Sequence, residues 1–425
     1  MPIIEEFLAE KGENLQKLFS DRLGFELPSP TTSKQARGLE LQPGCVPIPE
    51  GTESFILRLT NSDADGMKST NRVENEVAVL SLASTALTEF RPNVVPSVYA
   101  WSTAAGTTQG WILQQRMPGS SILEAFSEMN LENQKPILAQ MARILKALQD
   151  YPLPDSITDF GGLTFDGSGH IVSASMTNVG AGPWSSYEDF FRTRLQIALE
   201  KADKSQHIQG WHANGIRKRL DAFIEHGLHS QFESLAYKDK RVIAHNDFSE
   251  YLVNQVVNKL PSLGFFNLLI YSTSKLRIIF SLTSTGTHYY DFSCISHPSY
   301  EYFCSFLGAG EQLPGWCEDQ DSDQAKLRHA KLHGFPSPLF PTTEGGINWE
   351  VVRACEEELE KVDALRPRTM AGIDKVADIN ALLSTILPWR LSNSDILAKQ
   401  SQDTVERYRK IMEVQLAELL QHMGY

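Results

Sequence analysis

Arg241-Val-Ile-Ala-His-Asn-Asp-Phe-Ser-Glu-Tyr-Leu-Val-Asn254 is the stretch around which the chain is organised. Val242-Ile-Ala244 reads as a short apolar strand end that delivers His245, then Asp247, into a polar turn. A second β-type run, Tyr251-Leu-Val253, follows at once. A loop between two short strands fixes a carboxylate and leaves it reachable. Phosphoryl transfer to a hydroxyl uses such a group to orient the acceptor O–H and take its proton. An HxD triplet also arises by chance in many chains, so the flanking stretches decide.

The 425 residues allow two or three packed units with sizeable cores. Apolar residues make up 41% and charged residues 21%, as in a globular protein. With 39 basic and 52 acidic residues the net charge is −13, which argues against nucleic-acid or anionic-membrane partners and tolerates cationic small substrates. The five cysteines are scattered without a CxxC pair, so a reduced compartment and no zinc site are expected. The acidic start, Met1 to Lys11, lacks the pattern of a signal peptide, and Leu263 to Leu282 is too broken by Lys275 and Arg277 to span a membrane. A cytoplasmic location is the expectation.

Upstream, residues 1–25 carry a helical rhythm (Ile4, Leu8, Leu15, Phe19), and residues 26–53 read as a Pro- and Gly-rich linker. Phe55-Ile-Leu-Arg-Leu59 alternates as a strand, and Asn71 to Leu82 is helix-like, with Val73, Val77 and Leu80 on its buried side. Alone, Glu76 on that helix also reads as a surface carboxylate. Val94 to Trp101 and Gly110 to Gly119 read as two strands joined by the turn Thr103 to Gln109. Lys135 to Tyr151 is the clearest helix, with Pro136 in its first turn and Ile137, Leu138, Met141, Ile144, Leu145 and Leu148 on one core face. Phe160 to His170 has glycines but no following G-K-[ST], and fits a hairpin turn. Another helix opens near Gly182 to Phe191, capped by Ser185 or Ser186. Downstream, Leu252 to Tyr290 holds no Asp or Glu. The chain is helical towards its end: Trp349 to Leu365, capped by Asn348 or Thr343, and Ser394 to Met423, with Val405, Tyr408, Met412, Leu416, Leu419 and Leu420 at core spacing.

His245-x-Asp247 followed by strand residues resembles the catalytic loop of the aminoglycoside phosphotransferase and choline kinase group, relatives of protein kinases. The family pattern is H-G-D or H-N-D, four residues, then Asn. Here the place of that Asn is Leu252, and Asn254 is the nearest candidate, as if two loop residues were missing. The resemblance makes Asp247 the catalytic base, His245 a loop-shaping residue and Asn254 a candidate metal ligand. It places Arg58 where kinases keep the ATP-contacting Lys, as in fungal-type members, with Glu76 as its ion-pair partner. Gln115 to Met117, then Pro118-Gly119, resembles the hinge whose backbone binds adenine. Gly182-Pro-Trp184 resembles a fungal-type wall of the acceptor pocket. Tyr289-Tyr-Asp291-Phe-Ser293 resembles the family's metal-binding segment. Ungapped, the first acidic position is Tyr289, so Asp291 is the candidate Mg²⁺ ligand, with a helix cap as its alternative reading. The phosphate-covering loop would fall near Gly38, Gly44 and Gly51, among Pro43, Pro47 and Pro49.

The expected fold is thus a two-lobed, protein-kinase-like α+β architecture. Residues 1–50 would form an N-terminal helix and linker, 51–118 a small ATP-binding sheet lobe, and 119–425 a mostly helical lobe. The segment 256–285 is either foreign to the fold or an extended hairpin covering the site. The implied function is ATP- and Mg²⁺-dependent phosphoryl transfer to a hydroxyl of a small molecule. The alternative is a kinase-like binding module without chemistry, favoured by Leu252, Tyr289 and the prolines. Neither the acceptor nor the oligomeric state has a readable code.

Overall fold

The computed structural model describes residues 41–50, 52, 55–59, 71–91, 93–103, 110–117, 120–121, 123–248, 253–255, 278–280, 292–343 and 345–425. The helix expected in residues 1–25 lies outside them, as does most of 256–285.

β1 (Phe55–Leu59), α1 (Arg72–Ala86), β2 (Val98–Ser102) and β3 (Trp111–Gln115) come first. They form an antiparallel sheet in the order β1-β3-β2, with α1 packed against it. β2 starts later than its apolar run, because Pro96 has no N–H to give a ladder. α1 buries Val73, Val77, Val79 and Leu80, and also Asn75 and Glu76. Residues 41–50, expected to be a linker, pack on this unit. Val46 N donates to Val98 O at 2.9 Å, and the Trp101 indole donates to Pro43 O at 2.9 Å.

Past the sheet come β4 (Ser120–Ser121), α2 (Leu123–Glu128) and α3 (Leu131–Asp150). α3 begins four residues before the expected start, since Asn130 caps it by accepting from Asn133 N. Pro136 therefore lies inside the helix and not in its first turn. The predicted stripe is core: Ile137, Leu138, Met141, Ile144, Leu145 and Leu148 are all buried. β5 (Gly162–Phe165) and β6 (Ile171–Ala174) form the expected hairpin, its turn tied by Asp166, which accepts from Ser168 N and His170 N. α4 (Tyr187–Lys204) is capped by Ser186.

The helical region continues through α5 (Ile216–Ala222), a π-turn (Phe223–Gly227) and α6 (Leu228–Phe232) to β7 (Val242–Ala244), β8 (Val253–Gln255), β9 (Ile278–Phe280) and β10 (Cys294–Ser296). β7 pairs with β10, while β8 pairs with β4 and β9. α7 (Glu301–Cys304), α8 (Asp323–His333), α9 (Trp349–Lys361), α10 (Ile373–Ile386), α11 (Trp389–Ser392), α12 (Ser394–Leu397) and α13 (Gln402–His422) complete it. The last helix was expected to be continuous from Ser394. The chain instead breaks after Leu397, and Ser401 caps a new helix by accepting from Thr404 N. Asn348, not Thr343, caps α9. One core runs from α1 through α3, α4 and β7 to α13. A small N-terminal sheet unit followed by a larger helical region is the α+β arrangement expected.

Candidate active site

β7 ends at Ala244 and the chain turns through His245, Asn246 and Asp247. Asn246 adopts φ 65°, a left-handed conformation that Asn tolerates because its short amide bonds locally. Its Nδ2 donates to Phe292 O at 2.7 Å and meets Cys294 Sγ at 3.2 Å. Ser293 Oγ donates to His245 O at 3.0 Å. The turn after β7 is thereby tied to the segment entering β10, which sequence alone places 46 residues away.

A buried carboxylate holds the turn from beneath. Glu301, 2% exposed, accepts from His245 N at 2.7 Å and from Asn246 N at 3.0 Å, and also from Ser305 Oγ. Ser305 Oγ in turn accepts from Phe248 N at 2.8 Å. Three successive parts of the loop are thus fixed by two side chains one helical turn apart. Burial pushes the Glu301 carboxyl above its ordinary range, while the Ser305, His245 and Asn246 donors pull it back. Sequence reading missed Glu301. Its signal was a lone acid in the aromatic run Tyr300-Glu-Tyr-Phe-Cys-Ser-Phe306.

His245 is buried, and its Nδ1 accepts from Asp247 N at 3.2 Å, which puts the ring proton on Nε2. Burial lowers its pKa to about 3, so the ring is neutral and shapes the loop without carrying charge. Asp247 is half-buried just beyond it.

In the sheet unit, Arg58 from β1 forms an ion pair with Glu76 from α1, with side-chain exposures of 27% and 4%. Glu76 is a buried partner, not a surface carboxylate. Its neighbour Asn75, also missed by sequence reading, accepts from Leu163 N at 2.7 Å and donates to Ser293 O at 3.0 Å. Ser293 is the residue bonded to His245 O. Asn75 and Ser293 therefore link the helix carrying Glu76 to the loop carrying Asp247.

The other expected residues are placed less directly. Gln115 ends β3, and its side chain accepts from Ser97 N at 3.3 Å, so its amide serves the sheet. Met117 is buried just past it. Asn254 lies in β8, paired with Ser121 and Ile279, and its side chain lies outside the described structure. Asp291, Tyr289 and Leu252 also lie outside it. Of the segment 256–285, residues 278–280 form β9 against β8. The Pro-rich residues 43–49 pack against β2, and Gly44 lies against Val77 and Phe165. Among the described residues no group of three or more His, Cys, Asp or Glu is placed to hold a metal ion, and no helix is long and apolar enough to cross a membrane.

The buried histidines set an acid limit. His297 packs on Tyr187 at 5.0 Å, and its Nε2 bonds Ala236 O at 3.0 Å; burial lowers its pKa to about 4. Both histidines have folded-state values below the unfolded value of about 6.5, so the unfolded chain takes up protons first. Their stabilisation is complete above that pH and is lost as pH falls. By pH 5 each is expected to cost about 2 kcal/mol. Glu301, raised by burial, works in the opposite sense and softens the slope. Chemical denaturation at pH 7.5 and pH 5 checks this, and equal stability at both would show that the histidines are not held neutral.

Residues 48–250 match the model of the phosphotransferase enzyme family. No curated protein matches the chain. Among solved structures, the ADP-bound aminoglycoside phosphotransferase APH(2'')-Ib is 11% identical, with 92% of this chain and 97% of that one covered and a TM-score of 0.38. The streptomycin–ATP ternary complex of APH(2'')-IIa is 12% identical, with 93% and 97% covered and a TM-score of 0.35. The segment from 48 to 250, which is similar to the phosphotransferase enzyme family, holds both the Arg58–Glu76 pair and the His245–Asp247 turn.

Proposed function

We propose that the chain transfers the terminal phosphoryl group of ATP to a hydroxyl of a small molecule. The observation that carries this reading is the Arg58–Glu76 ion pair, formed across sheet and helix and linked through Asn75 and Ser293 to the turn that holds Asp247. An ion pair at this depth is a weak source of stability, whereas a guanidinium held rigidly at a fixed point suits a polyphosphate. Arg58, with 27% of its side chain accessible, fits that role.

Asp247 would accept the acceptor's O–H proton as the new O–P bond forms. The bond from the terminal phosphorus to its bridging oxygen breaks, and ADP leaves with that electron pair. Mg²⁺, when bound, neutralises charge on the transferring phosphate. Asp291 and Asn254 are its candidate ligands, and the backbone from Gln115 to Met117 is the candidate adenine contact. The fungal-type branch, the division at residues 50 and 118 and a cytoplasmic location belong to the same proposal. A binding module without chemistry is the second reading, favoured by Leu252 five residues past Asp247 and by Tyr289.

Melting the protein with and without millimolar Mg²⁺-ATP tests both. At about 100 times Kd, nucleotide is expected to add roughly 2.7 kcal/mol, a shift of a few degrees. A shift with ADP release on alcohol acceptors supports the enzyme. A shift without turnover leaves a nucleotide-binding module, and no shift removes the enzyme and leaves a module for some other ligand or partner.

A further inference from the structure

Asn75 lies near the start of α1, one residue before Glu76, and is 1% exposed. Asn is a poor helix former because its amide competes for backbone bonds, so a buried Asn there is explained by what its side chain holds. Its Oδ1 accepts from Leu163 N on β5 at 2.7 Å, and its Nδ2 donates to Ser293 O, just before β10, at 3.0 Å. Both ends of the amide are used, each on a different segment.

The segments it touches also close on one another. Gly161 and Ile295 exchange backbone hydrogen bonds at 2.9 and 2.8 Å, which ties the start of β5 to β10. Gly162 lets the chain come this close, since a Cβ there would collide with Ser175 O and press on Asn75 Oδ1. One turn earlier, Asn71 does not cap α1 with its side chain but donates to Ser175 O at 2.7 Å. Two amides four residues apart share a helix face, so together they fix the rotation of α1 against the β5–β6 hairpin. Rotation matters because Glu76 stands about 100° further round, where it meets Arg58.

We propose that Asn75 is a positioning residue, which sets the span between the Arg58–Glu76 pair and the Asp247 turn. Ser293, whose carbonyl it holds, donates through Oγ to His245 O at 3.0 Å, and the adjacent Phe292 O accepts from Asn246 Nδ2 at 2.7 Å. Glu301 and Ser305 fix the turn itself, and the ion pair fixes the other end; Asn75 joins the two. Transfer from a nucleotide to an acceptor hydroxyl needs those ends at one separation. The inference rests on the phosphotransferase reading for the reaction, but not for the mechanical link.

The test is Asn75→Asp in the full chain. It keeps an acceptor for Leu163 N and sets an oxygen against Ser293 O. With any alcohol that supports turnover, kcat at pH 8 is expected to fall about 10- to 100-fold, while the melting shift with Mg²⁺-ATP persists. Taken relative to the parent at each pH, the loss should shrink towards pH 6. Burial raises the pKa of the introduced carboxyl, and its protonated form has an O–H to give Ser293 O. Amide exchange reads the link without turnover: residues 242–248 should exchange about 10-fold faster, while α13 keeps the parent rate. Ser293→Ala, which cuts the next bond and leaves Asn75 in place, should loosen the same residues with a smaller fall in kcat, and it decides the matter if Asn75→Asp does not fold. Unchanged kcat or unchanged exchange at 242–248 overturns the proposal, as does an equal rise in exchange throughout the chain, the mark of a general loss of stability. If the turn loosens locally while the parent shows neither a Mg²⁺-ATP shift nor turnover, the phosphotransferase reading fails and the link stands.

Discussion

Asp247→Asn is expected to lower kcat by about 10²- to 10⁴-fold, equivalent to roughly 3–5 kcal/mol of barrier, with little change in KM. The amide keeps the volume of the carboxylate but cannot take the acceptor's proton. Because the loss falls on the transition state alone, kcat and kcat/KM should drop together. The turn has anchors other than that carboxylate: His245, Asn246 and Phe248 are held through their backbone N–H groups to Glu301 and Ser305. The variant should therefore melt close to the parent and respond to Mg²⁺-ATP as the parent does. Steady-state kinetics on any acceptor that supports turnover checks this. An unchanged kcat would remove Asp247 as the base.

What the sequence disclosed follows the range of the forces involved. Periodic burial is local, so α3 and the β5–β6 hairpin could be read from spacing and turn residues. Capping is local too, but it competes among neighbours. Asn130 moved the start of α3 back by a turn, and Ser401 cut the final helix where the apolar rhythm ran on. Glu76 was ambiguous because its partner lies 18 residues away on another element, and burial of a carboxylate becomes sensible only once Arg58 is seen beside it. Asn75 and Glu301 are further out of reach. Asn75 joins Ser293 across 218 positions, and Glu301 meets His245 across 56. No motif or period encodes such a contact. Candidate groups such as Arg58, Glu76 and Asp247 could thus be named from the sequence, while Asn75 and Glu301, which tie the turn in place, could not.

Glu301 is the most exacting of those supports, and its replacement should have the second large effect. In Glu301→Gln one oxygen remains to accept, but the other becomes an NH₂ that points its protons at donors: the amides of His245 and Asn246, and the Ser305 hydroxyl. At least one buried N–H then loses its acceptor. Each such loss costs about 1–3 kcal/mol, so a total near 2–4 kcal/mol of stability is expected. Removing the buried charge recovers part of that, because burial disfavours the ionised carboxyl. The turn should relax where it is held, at the two residues before Asp247. A displacement of about 1 Å in a group that must meet a reacting hydroxyl lowers the rate by roughly 10²-fold. The effect on kcat should thus approach that of Asp247→Asn, but with a stability loss that Asp247→Asn lacks. The double variant separates the two roles. If Glu301 acts only by placing Asp247, adding Glu301→Gln to Asp247→Asn should lower stability and leave the residual rate nearly where Asp247→Asn alone put it. Fully multiplicative rate losses would show that Glu301 contributes to the reaction by some route other than the turn.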